Sequence, residues 1–342
     1  MVLTVIALLV LCLYGIQSGR GKAFPDYISK ERTNAIKGIF ILVVFLSHIR
    51  PFIIDAGYMY HGIGDLIFRR FLGIFGQLMV VMFLFYSGYG VMESIGRKKD
   101  QYVKSMPRHR ILSTLLNFDI AVCAFLAVDL LLKHDVTAPQ FLLSLIAWDS
   151  VGNSNWYIFA ILICYTVTWL AASIIKEPKQ LCITVFILLT LSAVTLGFFK
   201  EYYWYNTLWA YPAGMYYSYN RPKIEGYIDT HYTKTLLILI LLVAAFSAIP
   251  WDLAGFRVNA LSVAFALTIV TLSMRLKMDN PALRWCGEQL FPLYIYQRIP
   301  MIVLAATLPS WMITEHPLVY TVLCLAITVL ISMGYRFFRI KL

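Results

Sequence analysis

Long apolar runs follow one another along the whole chain, and short polar segments separate them. Most of these runs are roughly 17–25 residues long, which is the length of a helix that crosses the hydrocarbon core of a bilayer. The runs predict candidate spans at 1–16, 35–54, 71–92, 111–132, 156–175, 181–199, 207–219, 235–250, 258–274, 285–306 and 317–334. The pattern therefore indicates an all-α, polytopic helical membrane protein with ten or eleven transmembrane helices. Residues 1–342 are expected to form a single integral-membrane domain.

The first run, residues 1–16, is either an additional N-terminal helix or a signal peptide. A signal peptide carries basic residues before its apolar segment, whereas Arg20 and Lys22 follow the run in this chain. This order of charges favours a retained helix whose N-terminus lies outside the cell.

Composition and charge narrow the class of protein further. Apolar residues make up 60% of the chain and charged residues only 14%, a balance that excludes an ordinary soluble enzyme. The net charge of +11 would suggest nucleic acid as the partner of a soluble protein, but most of the 29 Lys and Arg residues fall in segments that this topology places inside. The positive-inside rule explains such a distribution, so we expect a multi-pass protein of the cell membrane that contacts membrane lipids, with no nucleic-acid partner. The six cysteines show no metal-binding spacing, and no metal site is predicted.

Ionisable residues within a span are energetically costly, so they are candidates for function. Lys37 lies at the predicted inner end of the second span, and His48 follows on the same helix. Their separation is close to three helical turns, so both side chains lie on one face, about 16 Å apart along the axis. A histidine can act as a general base near neutral pH, and a lysine can hold a phosphate as a point charge. A histidine that only packs helices and a lysine that extends to the interface remain the alternatives.

A carboxylate within the span 111–132 also requires a partner. Asp119 lies about 12 Å from the inner end of that span, by the rise of a helix. Lys37 or His48 would serve, either as an ion pair or because the carboxylate orients the imidazole. A purely structural polar pair is the alternative.

A basic stretch, residues 97–110, joins two spans on the predicted inner side. It contains Lys104, Arg108 and Arg110, and Pro107 is expected to start a helix beside them. Cationic side chains next to a positive helix N-terminus would form an anion site, and arginine is suited to bidentate phosphate contacts. The alternative is an ordinary inner loop that contacts anionic lipid.

The order of these features resembles the acyltransferase-3 family of membrane acyltransferases over roughly residues 30–335. The spacing of Lys37 and His48 is similar to the family's basic residue, ten intervening residues and histidine. Later segments resemble further family motifs, namely 83–89 with its Ser87-Gly88 pair, 104–110, 155–158 and 287–296. The chain departs from the family pattern at Lys37, where arginine is usual, and at Gln297, where histidine is frequent.

The resemblance implies transfer of an acyl group, usually acetyl, from cytosolic acetyl-CoA to a hydroxyl of a cell-envelope glycan or lipid-linked sugar in a bacterial plasma membrane. In that reaction His48 would remove the proton of the acceptor, directly or through an acyl-histidine intermediate, and Asp119 would orient the imidazole. Basic side chains would hold the CoA phosphates: Lys37, Lys104, Arg108 and Arg110. Aromatic side chains near the outer mouth would bind the sugar: Trp156, Tyr157 and Trp204. An interfacial aromatic belt is the alternative explanation of such residues.

Two other functions fit the same architecture. A transporter or flippase for a lipid-linked sugar or polysaccharide would use His48 and Asp119 in a proton relay, although the chain shows no clear pair of Gly- or Pro-broken helices in matching halves. A scaffold subunit would use the same polar residues only to pack helices. Turnover of acyl-CoA distinguishes the enzyme from both alternatives.

Overall fold

The computed structural model describes residues 1–19, 21–250 and 255–342. Arg20, which entered the topology argument, lies outside these ranges. Helices dominate the described chain, which confirms the all-α prediction. In chain order they are α1 (Val2–Leu13), α2 (Lys30–Asp55), α3 (Gly62–Phe75), α4 (Val81–Met106), α5 (Ser113–Leu131), α6 (Ala138–Leu145), α7 (Trp156–Ile174), α8 (Pro178–Leu196), α9 (Ala210–Tyr219), α10 (Arg221–Thr230), α11 (Tyr232–Ala248), α12 (Phe256–Arg275), α13 (Pro281–Glu288), α14 (Leu290–Tyr296), α15 (Arg298–Thr307), α16 (Ser310–Glu315) and α17 (Pro317–Gly334).

Several short helical segments connect these helices. Single 3-10 turns occupy Gly76–Val80, Tyr202–Trp204 and Tyr335–Phe337, and a π-helical turn, Pro107–Leu112, continues α4 into α5. The chain is therefore helical on both sides of Pro107, and no free helix N-terminus exists there. The expected helix start at Pro107 is thus wrong, because the backbone N–H groups near Pro107 lie within a continuous helix.

A small antiparallel ribbon anchors the N-terminal helix. Strand β1 (Ile16–Ser18) pairs with strand β2 (Leu276–Met278). Next to the ribbon, the side-chain amide of Asn280 donates a hydrogen bond of 2.9 Å to the carbonyl of Leu11. These contacts attach α1 to the segment that follows α12.

Seven stretches of the described chain are long and apolar enough to cross a membrane, and an eighth crossing results if α10 and α11, bent by 103°, form one span. The prediction of a polytopic protein is confirmed, but eleven candidate spans were expected. Two of the expected spans, 71–92 and 111–132, lie in one helical stretch, 62–131, but on opposite sides of a break at Lys99, where φ is 45°, so they remain separate helices. The helices at 1–16 and 207–219 are too short to cross alone. Helix α11, with 17 residues, is at the short end of the range for a crossing helix.

Glycines bring α2 and α13 into direct backbone contact. Gly38 of α2 lies against the backbone of Leu283, and Gly287 of α13 lies against the backbone of Asn34. Small residues permit this approach between membrane helices. The contact fixes the turn of α2 that carries Lys37.

A second glycine contact joins α4 and α9, and it yields a prediction about stability. Gly88 lies against the backbone of Tyr211, so an added methyl group would overlap with that carbonyl. We expect Gly88→Ala to lower the stability of the folded protein by about 1–3 kcal/mol, the usual cost of overpacking. The measurement is the thermal unfolding midpoint of the purified protein in detergent.

The matched control for this experiment is Gly96→Ala in the same helix. No atom outside the local helix lies within 4 Å of a methyl group at Gly96, so the substitution should leave stability unchanged or raise it by up to about 1 kcal/mol. Equal effects of the two substitutions would contradict the close contact between α4 and α9.

Candidate active site

A large cavity opens where the predicted inner ends of α2, α4 and α10 meet. It has a volume of about 740 Å³. We call it the basic cavity because six cationic side chains line it: Lys30, Lys37, Arg97, Lys98, Arg110 and Arg221. Two carboxylates, Asp26 and Glu93, also border it. The excess of positive charge suits an anionic ligand.

The cations of the basic cavity differ in how far protein groups already neutralise them. Arg97 pairs with Glu93 at 2.8 Å, and Arg221 pairs with Glu225 at 2.6 Å. Lys37, in contrast, is half-buried and has no hydrogen-bond or ion-pair partner within the described part of the chain, although it lies within electrostatic range of the carboxylate of Glu288. An unpaired cation in such a place favours an anionic ligand, because a bound phosphate would supply the missing counter-charge.

Arg110 projects into the basic cavity from the π-helical turn. Its Nε donates a hydrogen bond of 3.0 Å to the hydroxyl of Tyr102, and its guanidinium lies 5.8 Å from the ring of Tyr165. Both contacts involve neutral groups, so the positive charge stays available to a ligand. The structure places Lys104 and Arg108 elsewhere, because both side chains are exposed and neither lines the cavity.

A smaller inner pocket continues the basic cavity toward the middle of the bundle. Its volume is about 150 Å³. It is lined by Phe83, Ser87, Thr114, Tyr157, Ile158, Ile161, Tyr165, Leu290, Phe291 and Tyr294. Three of these residues, Phe83, Ser87 and Leu290, also line the basic cavity, so the two spaces adjoin.

His48 lies beside the inner pocket. Its ring is 6.1 Å from the ring of Tyr294, measured between centroids. The Nδ1 atom of His48 is buried and has no hydrogen-bond partner among the described residues. The charged side chain that interacts with His48 is Arg298 of α15, whose guanidinium lies 5.7 Å from the ring of Phe52, one turn further along α2.

The loop between α6 and α7 reaches Tyr294 from the predicted outer side. The hydroxyl of Ser154 is hydrogen-bonded to the hydroxyl of Tyr294 at 2.9 Å. The side-chain amide of Asn155 holds this loop by donating to the carbonyls of Ala147, at 3.1 Å, and Asp149, at 2.7 Å. Tyr294 therefore connects His48 with a loop whose conformation is fixed by side-chain hydrogen bonds.

The structure does not bring Asp119 together with His48 or Lys37. The Oδ1 atom of Asp119 is buried and unpartnered, and no hydrogen bond or ion pair in the described ranges joins Asp119 to either residue. Asp119 therefore does not orient the imidazole in this conformation. The position of Asp119 along its own helix fixes only its depth in the membrane, whereas its contacts depend also on which neighbouring helix that face of α5 meets.

A pair of substitutions tests which residue positions His48. We expect Tyr294→Phe, which removes the hydroxyl bonded to Ser154, to reduce acyl transfer more than Asp119→Asn does. The lost hydrogen bond has a net value of about 1 kcal/mol, which corresponds to a several-fold loss of rate. The measurement is the rate of acyl transfer by each purified variant, and a larger loss for Asp119→Asn would contradict this arrangement.

The three aromatic candidates of the outer mouth occupy different environments. Tyr157 is buried and lines the inner pocket, where its ring is 5.3 Å from that of Tyr294. Trp156 is partly exposed and packs on Tyr203 at 6.2 Å. Trp204 is buried and lies 4.3 Å from the Nζ of Lys200.

Lys200 lies between the rings of two tryptophans at the predicted outer side. Its Nζ lies 4.0 Å from the ring of Trp148 and donates a hydrogen bond of 2.6 Å to the carbonyl of the same residue. Burial beside the rings lowers the pKa of Lys200, and the neighbouring carboxylate of Asp149 partly opposes this effect. Lys200 therefore covers Trp204, whereas Trp156 is partly exposed.

Sequence reasoning missed several residues of this site. Tyr294 and Ser87 appeared only as parts of motifs, and Arg298 lies within the predicted span 285–306. Ser154 lies in a short polar turn whose sequence matches no catalytic or binding motif. None of these residues has a local pattern that identifies it, because their proximity to His48 results from helices that are distant in sequence.

The comparisons with known proteins give one match. Residues 31–336 match the acyltransferase-3 family model, which is described as an acyltransferase domain. No curated protein and no solved structure matches the chain.

Proposed function

Because the chain belongs to the acyltransferase-3 family and is a multi-pass membrane acyltransferase, we propose that it transfers an acetyl group from cytosolic acetyl-CoA to a hydroxyl of an envelope glycan. The acceptor is a cell-envelope polysaccharide or a lipid-linked sugar, and the membrane is a bacterial plasma membrane. Membership of the family supports the acyl transfer itself. The choice of donor and acceptor is supported by the geometry described above.

The observation that carries the proposal is the continuity between the basic cavity, the inner pocket and His48. Acyl-CoA has phosphates at one end and a thioester at the end of an extended arm. The unpaired Lys37 and the available charge of Arg110 suit the phosphates. The thioester would then reach the inner pocket, beside Tyr294 and His48.

The distance along α2 fits this placement. Lys37 and His48 are separated by about 16 Å of helical rise, so a ligand held at Lys37 needs a long, slender arm to reach His48. The arm of CoA has that form. Tyr294 lines the inner pocket next to His48, so an arm that enters this pocket would end near the imidazole.

The proposed reaction is a direct transfer. The oxygen of the acceptor hydroxyl attacks the thioester carbonyl carbon while His48 takes the hydroxyl proton. The carbon–sulfur bond breaks, and the imidazolium returns the proton to the sulfur of CoA. The products are an O-acyl ester and free CoA. The acceptor enters from the side of Ser154 and Trp156, opposite the donor.

The test is a transfer assay with purified protein in proteoliposomes, with labelled acetyl-CoA and an extract of bacterial envelope glycans. We expect labelled glycan and an equal amount of released CoA. The matched control omits the glycan and measures simple hydrolysis. Export of a lipid-linked sugar without consumption of acetyl-CoA would contradict the proposal and support the transporter.

A further inference from the structure

The inner pocket has properties beyond its position beside His48. We propose that this pocket holds the acyl group of the donor, and that Ile158 and Ile161 of α7 set the longest acyl chain that the protein transfers. The inference rests on the proposed function and adds the size limit of the donor and the residues that impose it.

The lining of the inner pocket distinguishes its mouth from its far side. Phe83, Ser87 and Leu290 are shared with the basic cavity and therefore form the mouth. Two further lining residues, Thr114 and Phe291, also border a neighbouring cavity of about 590 Å³.

The remaining lining residues belong to the inner pocket alone. Apart from Tyr294, all of them lie on α7: Tyr157, Ile158, Ile161 and Tyr165. Three of these, Tyr157, Ile161 and Tyr165, follow at intervals of four residues, so they form one face of the helix. The α7 residues therefore form a wall on the side of the pocket that borders neither the basic cavity nor the neighbouring cavity.

The wall is apolar at the point where an acyl chain would end. Ile158 is 1% exposed and Ile161 is 4% exposed, so neither side chain can move away into solvent. With the thioester beside Tyr294, the end of the acyl chain points at these two isoleucines. Protein interiors are close-packed, so a longer chain would overlap with the wall instead of displacing it.

The volume of the inner pocket limits the size of the acyl group that it can hold. Each water molecule occupies about 30 Å³ of liquid, so a space of about 150 Å³ holds roughly five water-sized groups. An acetyl or propionyl thioester fits this space. An octanoyl chain, with its additional methylenes, exceeds it.

The experiment measures transfer from donors of increasing chain length, acetyl-, butyryl-, hexanoyl- and octanoyl-CoA, in the proteoliposome assay. We expect the wild-type protein to prefer acetyl-CoA. Methylenes in an apolar pocket change selectivity by roughly 10–200-fold, so Ile161→Ala should raise the ratio of hexanoyl to acetyl transfer by at least about tenfold. Ile158→Ala enlarges the inner pocket at a second position. Ile161→Trp fills the pocket instead, so it should abolish acetyl transfer while CoA still binds.

The matched control is Ile163→Ala, which removes the same atoms from the same helix outside the pocket. Its chain-length profile should equal that of the wild type. Equal transfer of acetyl and octanoyl groups by the wild type would overturn the size limit and leave the proposed function intact. An unchanged profile in folded Ile161→Ala and Ile158→Ala would overturn the role of the wall. Failure of every donor with the wild type would instead refute the proposed function.

Discussion

Replacement of His48 by glutamine is expected to lower the rate of acyl transfer by about 10²–10⁴-fold, the usual contribution of a positioned general base. Glutamine keeps a polar side chain of similar reach but cannot accept a proton at neutral pH. The fold should survive, because the Nδ1 atom of His48 makes no hydrogen bond in the described chain that the substitution would break. The measurement is the initial rate at saturating acetyl-CoA.

Two readouts separate a chemical defect from a structural one. The His48→Gln protein should elute as a single species and bind CoA with the affinity of the wild type, because the basic cavity is formed by other residues. His231→Gln is the matched control, since His231 is exposed on the surface and stacks only on Tyr227. Wild-type turnover in His48→Gln would rule out the histidine as the base, and an equal loss in His231→Gln would indicate a nonspecific effect.

Removal of the positive charge at Lys37 or Arg110 is expected to raise the KM for acetyl-CoA with little change in kcat. A hydrogen bond to a charged group contributes about 1.5–3 kcal/mol, so each alanine substitution should raise KM by roughly tenfold to a hundredfold. Both residues line the basic cavity, and neither lines the inner pocket that holds the thioester in the proposed complex. The measurement is the dependence of the initial rate on acetyl-CoA concentration.

Arg108 provides the comparison that makes this prediction specific. The sequence predicted phosphate binding by Arg108 and Arg110 together, but only Arg110 lines the basic cavity. Arg108→Ala removes the same charge two residues away, on an exposed surface. We therefore expect a clearly smaller rise in KM for Arg108→Ala than for Arg110→Ala. Equal rises would show that the whole basic stretch acts as a diffuse attraction for the donor and would contradict a defined phosphate site.

The sequence by itself determined the class of the protein and the axial positions of its key residues. Apolar runs of bilayer length require helices, because backbone polar groups must be satisfied inside each segment in lipid. The spacing of Lys37 and His48 follows from the pitch of one helix, which is a local property of the chain. The structure places Lys37 at the basic cavity and His48 beside Tyr294, which lines the adjoining inner pocket.

The number of crossings was harder to predict from sequence. A hydropathy profile detects an apolar run. It does not distinguish one long helix from a short buried helix or from a pair of helices joined at a bend. Residues 207–219 are apolar because α9 packs against α4 at Gly88. A helix buried inside a bundle and a helix exposed to lipid both require apolar residues. The sequence alone therefore could not tell these two kinds of helix apart.

The partners of each functional residue were decided only by the tertiary structure. Asp119 and Arg298 were both ionisable residues within predicted spans, yet only Arg298 interacts with His48. Trp204 and Trp156 both occupied predicted outer ends, yet only Trp204 is covered by Lys200. The direction in which a helix face points depends on how side chains from distant helices interlock. That interlocking is a property of the whole bundle, and no local stretch of the sequence contains it.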